Sequence, residues 1–367
     1  ALPEDLIWLL SCAVNGRVPE EERLRNVDLD LLYRESARHM LTAAAAYALE
    51  SAGIRDQRFV QARAKAVRKL ALMDAEMEEL FGRLEEEGIW YMPLKGAVLK
   101  DYYPAYGLRE MSDHDILFDA RYADKVRDIL EGMGFRAGKY NKGIHDCYFK
   151  EPVSNFEMHR ALFSKKSQNS KPGFYYENVK ERLVKDEGKR CRFHFTPEDF
   201  YVYMLAHEYK HYSDRGTGLR SLLDSYVYLK KEKLDMDYVA AETEKLGIRD
   251  FEALNRSLSM HLFGGGELTA REREMLDYVC GCGTYGKLEN RVIHNIGKAS
   301  GKSGKVTWGM RLLYLFPKKD YLCSKYPMAK YTILLPAIWL IRIVEALFRQ
   351  GKRNFRILKI IVSQKEI

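Results

Sequence analysis

The stretch that decides the fold is Leu94–Leu117, LKGAVLKDYYPAYGLREMSDHDIL. It ends in an apolar run that carries two aspartates, Asp113 and Asp115, one residue apart. Because side chains alternate between the two faces of a β-strand, both aspartates are expected on one face, with His114 and Ile116 on the other. Two carboxylates this close repel each other unless a cation lies between them, and their oxygens suit Mg²⁺. The alternative is a pair of solvated acids on an exposed strand edge or in a turn.

A second strand-like segment, 155–159, supplies a third acid. Alternation places Glu157 and His159 on one face of this segment, and Phe156 and Met158 on the face toward the core. If this strand lies beside the first, Glu157 reaches the same cations, and three carboxylates can hold two divalent ions about 4 Å apart. His159 is a candidate for a catalytic role or for contact with the acceptor or nucleotide. The alternatives are a solvent-facing Glu157 and a structural His159.

The Lys95-Gly96 pair forms a turn between a predicted strand and a short predicted helix. Glycine allows the backbone to approach a phosphate closely, and the first N–H groups of a helix attract anions. Lys95 and Arg109 would then add positive charge for the β and γ phosphates of a nucleotide. In the alternative interpretation, Lys95 is solvated and Arg109 pairs with Glu110 or Asp113.

Length and composition bound the protein class. With 367 residues, of which 46% are hydrophobic and 31% charged, the chain has room for two or three domains of ordinary soluble composition. A net charge of +8 is compatible with anionic substrates such as nucleotides but too small to indicate nucleic-acid binding by itself. Six scattered cysteines with no paired CxxC motif predict neither a disulfide framework nor a zinc knuckle. The amino terminus lacks a basic n-region, so no secretory signal is predicted and the expected location is the cytoplasm.

The order of elements predicts an α+β chain in four regions. These are an amino-terminal helical region at 1–88, an alternating strand and helix core at 89–195, a helical domain at 196–300, and a carboxyl-terminal segment at 301–367. A Thr cap followed by Pro marks the start of the helical domain. The individual helices predicted from apolar periodicity and end signals lie at 4–15, 28–51, 56–87, 97–103, 120–132, near 175–184, 196–212, 219–231, 237–245, 249–263, 269–279 and 287–296.

The order strand, glycine turn, short helix, DxD strand, helix and later acidic strand resembles the DNA polymerase β-like nucleotidyltransferase superfamily. More closely, the segments LKGAVLKDYYPAYGLREMSDHDILF, FEMHRALF and HEYKH, followed by GLRSLLDSYVYL, resemble the uncharacterised bacterial nucleotidyltransferase family within it. The resemblance spans Gly88–Leu229. It implies a small mixed β-sheet nucleotidyltransferase core, flanked by amino-terminal helices and a carboxyl-terminal helical domain.

By this resemblance, Asp113, Asp115 and Glu157 bind catalytic Mg²⁺ or Mn²⁺, and Gly96 with Lys95 holds the triphosphate. The implied reaction transfers a nucleotidyl group from an NTP to a hydroxyl, amine or phosphate acceptor and releases pyrophosphate, with one acid helping to deprotonate the acceptor. The sequence identifies neither the base of the NTP nor the acceptor, which is a protein, an RNA, a sugar or a small molecule.

The chain departs from the superfamily at the glycine turn. The usual turn is Gly-Gly or Gly-Ser, whereas Ala97 follows Gly96 here. A Ser or Thr hydroxyl contact to phosphate is therefore missing at this position, which bears on the phosphate geometry and on activity itself.

A competing motif, HEYKH at 207–211, matches HExxH on a predicted helix. In a zinc metalloprotease, His207 and His211 would bind zinc and Glu208 would be the general base. Zinc needs a third ligand, and the extended xxGxxH pattern does not follow, so Asp224 on the next helix is the candidate.

The same helix has a second interpretation, as one wall of the nucleotidyltransferase cleft. Four basic residues would then contact nucleotide or acceptor: His207, Lys210, His211 and Arg220. The remaining alternatives are plain helix packing and a non-catalytic module that senses nucleotides or acts as an antitoxin-like partner.

The carboxyl-terminal stretch 331–348, YTILLPAIWLIRIVEALF, is strongly apolar. Pro336, Arg342 and Glu345 interrupt it, so no membrane-spanning helix is predicted. The favoured interpretation is a helix buried against the domain or against a second copy of the chain. The alternative is an interfacial helix over 331–360 on an anionic membrane surface, with basic residues on the headgroups.

Overall fold

The computed structural model forms two compact units, each with its own set of contacts. The first unit comprises Ala1–Tyr209 and Gly218–Thr284, and the second comprises Lys210–Thr217 and Tyr285–Ile367. The structure describes residues 3–166, 170–284, 322 and 326–341.

Helices precede the sheet: α1 (Glu4–Asn15), α2 (Glu21–Leu24), α3 (Leu29–Arg38), α4 (Thr42–Ser51) and α5 (Gln57–Glu86). The prediction of one helix over 28–51 is wrong, because the chain breaks between α3 and α4. Met40 has a φ of 54° there, and the ring of the buried His39 accepts a hydrogen bond from the Leu219 N–H at 3.1 Å. A contact with a distant segment therefore outweighs the helix propensity of the local sequence.

The central sheet has five strands in the order β1-β2-β5-β4-β3. Strands β2 and β5 run parallel, and every other neighbouring pair is antiparallel. The predicted α+β class with a small mixed sheet is therefore confirmed. The elements of this region are β1 (Tyr91–Pro93), α6 (Gly96–Leu99), β2 (His114–Phe118), α7 (Ala123–Gly132), β3 (Arg136–Lys139), β4 (His145–Lys150) and β5 (Ser154–His159).

One face of the sheet packs on α5 and α7 and forms the hydrophobic core. Alternate strand residues such as Ile116, Tyr148, Phe156 and Met158 are buried there with apolar side chains of the two helices. The intervening positions, including Asp115 and Glu157, face the other side, as the alternation in the sequence predicts. This second face carries the candidate site.

The first unit continues with helices and a two-stranded sheet, β6-β7. The predicted helix at 219–231 is confirmed, and the predicted Thr cap is present, since Thr196 Oγ1 accepts the Asp199 N–H at 3.2 Å. The predicted helix at 287–296 lies outside the described residues. The elements are α8 (Lys171–Tyr175), β6 (Val184–Lys185), β7 (Phe193–His194), α9 (Pro197–Asp214), α10 (Leu219–Lys231), α11 (Met236–Leu246), α12 (Arg249–Gly264) and α13 (Ala270–Cys282).

The described part of the carboxyl-terminal segment is short. Two 3₁₀ turns, Pro327–Lys330 and Thr332–Leu334, lead into helical residues 335–341. Ile338 is buried with Leu322, whereas five of the larger apolar side chains in this stretch are exposed: Met328, Tyr331, Ile333, Leu340 and Ile341. Among the described helices, none combines the length and the apolar character that crossing a membrane requires. The predicted surface contacts over 342–360 lie outside the described residues.

Candidate active site

The turn between β1 and α6 brings Lys95 to the polar face of the sheet. Lys95 has a φ of 46°, a left-handed value that is uncommon for a residue with a Cβ atom. The Leu94 N–H donates to the Asp115 carbonyl at 2.9 Å, and Lys95 Nζ donates to Asp115 Oδ1 at 2.7 Å. The turn is therefore fixed to β2 by a backbone hydrogen bond and by an ion pair. The expectation of a solvated Lys95 in the alternative interpretation is wrong.

Asp115 is the most constrained of the three predicted acids. Its side chain is 7% exposed, and its Oδ1 lies 2.8 Å from Nε2 of His159 as well as beside Lys95. Burial alone would raise the pKa of Asp115, but Lys95 and His159 together hold it well below its usual value. Asp115 is therefore a carboxylate that both neighbours orient.

His159 donates to that carboxylate. Because an ionised Asp115 can only accept, Nε2 carries the hydrogen between them, and burial lowers the pKa of His159. Its Nδ1 atom is buried and has no hydrogen-bond partner among the residues that the structure describes. The predicted position of His159 on the same face as Glu157 is confirmed.

The third acid, Glu157, arrives on the neighbouring strand. Asp115 and Glu157 are Cα partners in the parallel register of β2 and β5, as the sequence interpretation requires. The Glu157 side chain is 24% exposed, and burial and the Asp115 charge raise its pKa. The adjacency is confirmed, and the role of Glu157 as a metal ligand stays a prediction.

Asp113 lies directly before β2 and belongs to the same charged group. Burial, Asp115 and Glu157 raise the pKa of Asp113 to about 7, and the opposing charges of Lys95 and Arg220 do not cancel this effect. Three carboxylates thus share one site with too little positive charge beside them. Negative charge in excess is the condition under which a divalent cation stabilises a site.

His145 completes the group, although the sequence interpretation did not include it. It is the Cα partner of His159 across β4 and β5, and its Nε2 lies 3.7 Å from Glu157 Oε2. His159 Nε2 lies 3.8 Å from the same oxygen. The sequence HDCYFK could have indicated this position. Alternation puts His145 on the face of the strand away from the buried Tyr148, which is the polar face of the sheet.

The model of the family described as "Uncharacterised nucleotidyltransferase" matches residues 25–264, more than half of the 367 residues. The chain belongs to this nucleotidyltransferase family. The match includes all three acids and both sheet strands that carry them. The predicted resemblance to an uncharacterised nucleotidyltransferase family over Gly88–Leu229 is confirmed.

Other comparisons add little to the family assignment. A search of curated proteins finds no match. One similar solved structure is the crystal structure of an antigenic nucleotidyltransferase-like protein from Paracoccidioides brasiliensis, at 13% identity. The alignment covers 53% of this chain and 95% of that chain, and its TM-score of 0.32 is too low to indicate a shared fold.

Arg109 pairs with a residue that the sequence interpretation did not consider. It is 8% exposed, and its Nε and Nη2 each donate to one carboxylate oxygen of Asp224 at 2.8 Å. Tyr103 Oη donates to the same carboxylate at 2.8 Å. The expected alternative partners, Glu110 and Asp113, are therefore wrong, and the predicted phosphate contact of Arg109 stays a prediction.

Gly96 and Ala97 are both explained by packing. A Cβ atom on Gly96 would lie 2.5 Å from Arg109 Nη1 and 2.7 Å from Met111 Cε, so only glycine lets these side chains approach. Ala97 is buried in the core beneath the sheet with Ile116. The position after the glycine therefore faces apolar side chains, which accounts for the missing hydroxyl in this family member.

Helices α9 and α10 bring further side chains to the acidic residues. The hydroxyl of Tyr203, which the sequence interpretation missed, is buried, and burial together with the charges of Asp115 and Glu157 raises its pKa. His207 is half-buried one turn later, with its ring centroid 6.4 Å from that of Tyr203. Tyr203 places the middle of α9 against the site.

The remaining predicted basic contacts divide into two groups. Arg220 Nη1 donates to the Glu110 carbonyl at 3.0 Å, and its charge acts on Asp113. Lys210 and His211 are exposed at the end of α9 and belong to the second unit. Their contacts with a nucleotide or an acceptor stay predictions.

The HExxH motif does not assemble a zinc site in the described part of the chain. Glu208 is 6% exposed and accepts a hydrogen bond from Asn255 Nδ2 at 2.9 Å, and burial raises its pKa to about 7. Asp224, the candidate third ligand, is bound to Arg109. Within the described residues, the group of side chains close enough to share an ion is instead His145, Glu157 and His159.

The donor atoms of the three acids are of the type that a hard divalent cation prefers, although the described group of ligand atoms within 4.8 Å of one another is His145, Glu157 and His159. Carboxylate oxygens are the ligands that Mg²⁺ and Mn²⁺ prefer, and Asp115 is already held ionised by its neighbours. A cation here would offset the repulsion that raises the pKa values of Asp113 and Glu157. The site thus combines oxygen ligands, one lysine and an excess of negative charge.

Proposed function

We propose that this chain transfers a nucleotidyl group from an NTP to an acceptor in a reaction that depends on Mg²⁺ or Mn²⁺. The proposal extends the resemblance to the DNA polymerase β-like superfamily. The observation that supports it most is the parallel register of β2 and β5, which pairs Asp115 with Glu157, while Asp113 precedes β2. The family assignment supports the reaction class.

The reaction is a displacement at the α-phosphorus of the NTP. An acceptor oxygen or nitrogen forms a bond to the α-phosphorus, the bond from that phosphorus to the bridging oxygen breaks, and pyrophosphate leaves. The acceptor proton passes to a carboxylate of the site. Divalent ions supply charge stabilisation when bound to Asp113, Asp115 and Glu157.

The protein's own residues have separate tasks in this proposal. His159 and Lys95 hold Asp115 in its ionised form and fix its orientation. Lys95 has further N–H groups, and we infer that these donate to the triphosphate. The left-handed turn at Lys95 is the feature that brings its ammonium group to the acids.

The test is an NTP transfer assay with the double variant Asp113→Asn/Asp115→Asn. Each labelled NTP is incubated with Mg²⁺ or Mn²⁺ and a cell extract, and the labelled acceptor is identified. The wild-type protein is expected to label an acceptor, and the double variant is expected to lose that activity, because two metal-binding charges are removed without a change in side-chain volume. Circular dichroism checks that the variant is folded.

Two outcomes would count against the proposal. Unchanged transfer by the folded double variant would show that the acids are not required. Metal-dependent NTP binding by the wild type with no transfer to any acceptor would instead favour the non-catalytic nucleotide-binding module.

A further inference from the structure

Two histidines and one glutamate converge on the polar face of the sheet beside the three acids. Oε2 of Glu157 lies 3.7 Å from His145 Nε2 and 3.8 Å from His159 Nε2. The ligand atoms of the three residues all lie within 4.8 Å of one another. All three residues are on adjacent antiparallel strands, where His145 and His159 are Cα partners.

These distances are close to those of a metal site without its ion. Ligand atoms at about 2.0–2.2 Å from one ion are separated from each other by about 3.0–3.6 Å in octahedral or tetrahedral geometry. The two separations from Glu157 need to shrink by a few tenths of an ångström. The separation between the two histidines, at most 4.8 Å, needs to shrink by up to about 1–2 Å. Side-chain rotation can supply that movement, because His145 and Glu157 are about one-quarter exposed.

The chemistry of these ligands differs from that of the proposed Mg²⁺ site. Two imidazoles and one carboxylate suit first-row transition metals, whereas Mg²⁺ prefers oxygen ligands and water. His159 Nε2 now shares its hydrogen with Asp115. Metal binding at Nε2 replaces this hydrogen bond, after which Lys95 alone holds Asp115. The ring then carries its hydrogen on Nδ1, which has no hydrogen-bond partner among the described residues.

We propose that His145, Glu157 and His159 bind one first-row transition-metal ion of the kind that imidazole ligands favour, such as Zn²⁺, in preference to Mg²⁺. The ion shares Glu157 with the proposed transfer site, but its binding does not require that transfer occurs. The proposal therefore goes beyond the proposed function and stands on separate ligands, the two histidines.

The experiment titrates the metal-stripped full-length protein with Co²⁺, whose visible absorption reports its ligands, and with Zn²⁺ against a chromophoric chelator. One equivalent of tightly bound metal is expected, and a large excess of Mg²⁺ is not expected to displace it. Removal of a residue that only supports a ligand weakens metal binding by about 10- to 100-fold. The loss of a ligand in His145→Ala should therefore weaken binding at least about tenfold.

Three variants make the result specific. His194→Ala is the matched control, because His194 is an exposed histidine on β7 that is bonded to Asp186, and it should bind metal as the wild type does. Asp113→Asn should also retain the transition metal, even if Mg²⁺-dependent NTP binding is lost. If His145→Ala does not fold, His145→Gln, which keeps a side chain of similar size, replaces it.

Two results would overturn the proposal of a transition-metal site, and a third would separate it from the proposed function. Equal metal affinity in the wild type and in His145→Ala would overturn the proposal. Metal retained in His145→Ala but lost in His207→Ala would place the ion at the HExxH motif, and would also overturn it. Retained transition-metal binding in a protein that shows no nucleotidyl transfer would support this proposal while the proposed function fails.

Discussion

Two charged clusters lie near the turn that begins α6. One pairs opposite charges, and the other brings like charges together. In the balanced pair, defined as Arg109 and Asp224, both guanidinium-to-carboxylate hydrogen bonds are 2.8 Å long, and both side chains are less than one-tenth exposed. In the acidic site, defined as Asp113, Asp115 and Glu157, three carboxylates repel one another. The charges of the balanced pair neutralise each other, whereas the acidic site has more negative than positive charge.

The difference separates a structural role from a functional one. A buried ion pair with complete hydrogen bonding fixes the elements that carry it, here the segment before β2 and helix α10. A cluster of like charges with perturbed pKa values costs stability, and such clusters are concentrated at functional sites. The Lys95-Gly96 turn lies between the two clusters. Lys95 bonds Asp115 of the acidic site, and Gly96 packs against Arg109 of the balanced pair.

The largest effect on stability is expected from breaking the balanced pair. Asp224→Ala would leave the buried Arg109 without its partner, and the loss of one member of a buried ion pair costs about 3–5 kcal/mol. Urea denaturation of the full chain, followed by circular dichroism, measures the change in the free energy of unfolding.

The control for this prediction is Asp101→Ala. The Asp101 side chain is 72% exposed and lies 3.8 Å from Lys100, so its loss should change stability little. A further variant, Arg109→Met with Asp224→Leu, should recover part of the lost stability, because neither charge of the pair remains buried alone, while the Tyr103 hydroxyl loses its acceptor. A cost below about 1 kcal/mol for Asp224→Ala would contradict the structural role of the pair.

In the acidic site, replacing an aspartate should raise the free energy of unfolding, whereas in the balanced pair it should lower it. Asp113→Asn removes a like charge, so the metal-free protein should become more stable above neutral pH, by roughly 1–3 kcal/mol after allowance for solvent screening. The pKa of Asp113 rises from 3.8 to about 7 on folding. Between those pH values the folded wild-type protein binds more protons than the unfolded chain, so its stability falls as the pH rises and the loss is complete above about pH 7.

The measurement is the free energy of unfolding as a function of pH in the presence of a chelator. The Asp113→Asn variant should lack the loss of stability that the wild type shows up to about pH 7, and Asp101→Asn should retain it. If Asp113→Asn proves destabilising throughout this range, the acidic site is not a cluster of uncompensated charge, and the contrast with the balanced pair is lost.

Features encoded within one segment could be predicted from the sequence. Helix α10 follows the predicted bounds, and the predicted cap of α9 is present, because apolar spacing and capping residues act locally. Alternation placed Glu157 and His159 on one face, but the pairing of β2 with β5 was a condition of the interpretation, which the resemblance implied and the register fulfils.

Features that depend on contacts between distant segments could not be predicted from the sequence. Arg109 bonds Asp224, which is 115 positions away, and no local pattern selects that partner over Glu110. The break between α3 and α4 depends on the contact of His39 with Leu219, 180 positions away. His145 lies at the site only because β4 pairs with β5 in one particular register, and a shift of one residue would turn it to the core.

The central claim is that acids on two parallel strands form one metal site for an NTP. Its most direct test is calorimetric titration of the wild type and of Glu157→Gln with each NTP, with and without Mg²⁺. The wild type should bind at least one NTP only when Mg²⁺ is present, and Glu157→Gln should weaken that binding at least about tenfold while the fold is unchanged. Equal Mg²⁺-dependent affinity in Glu157→Gln and in the wild type would contradict the claim, because β5 would then contribute nothing to the site.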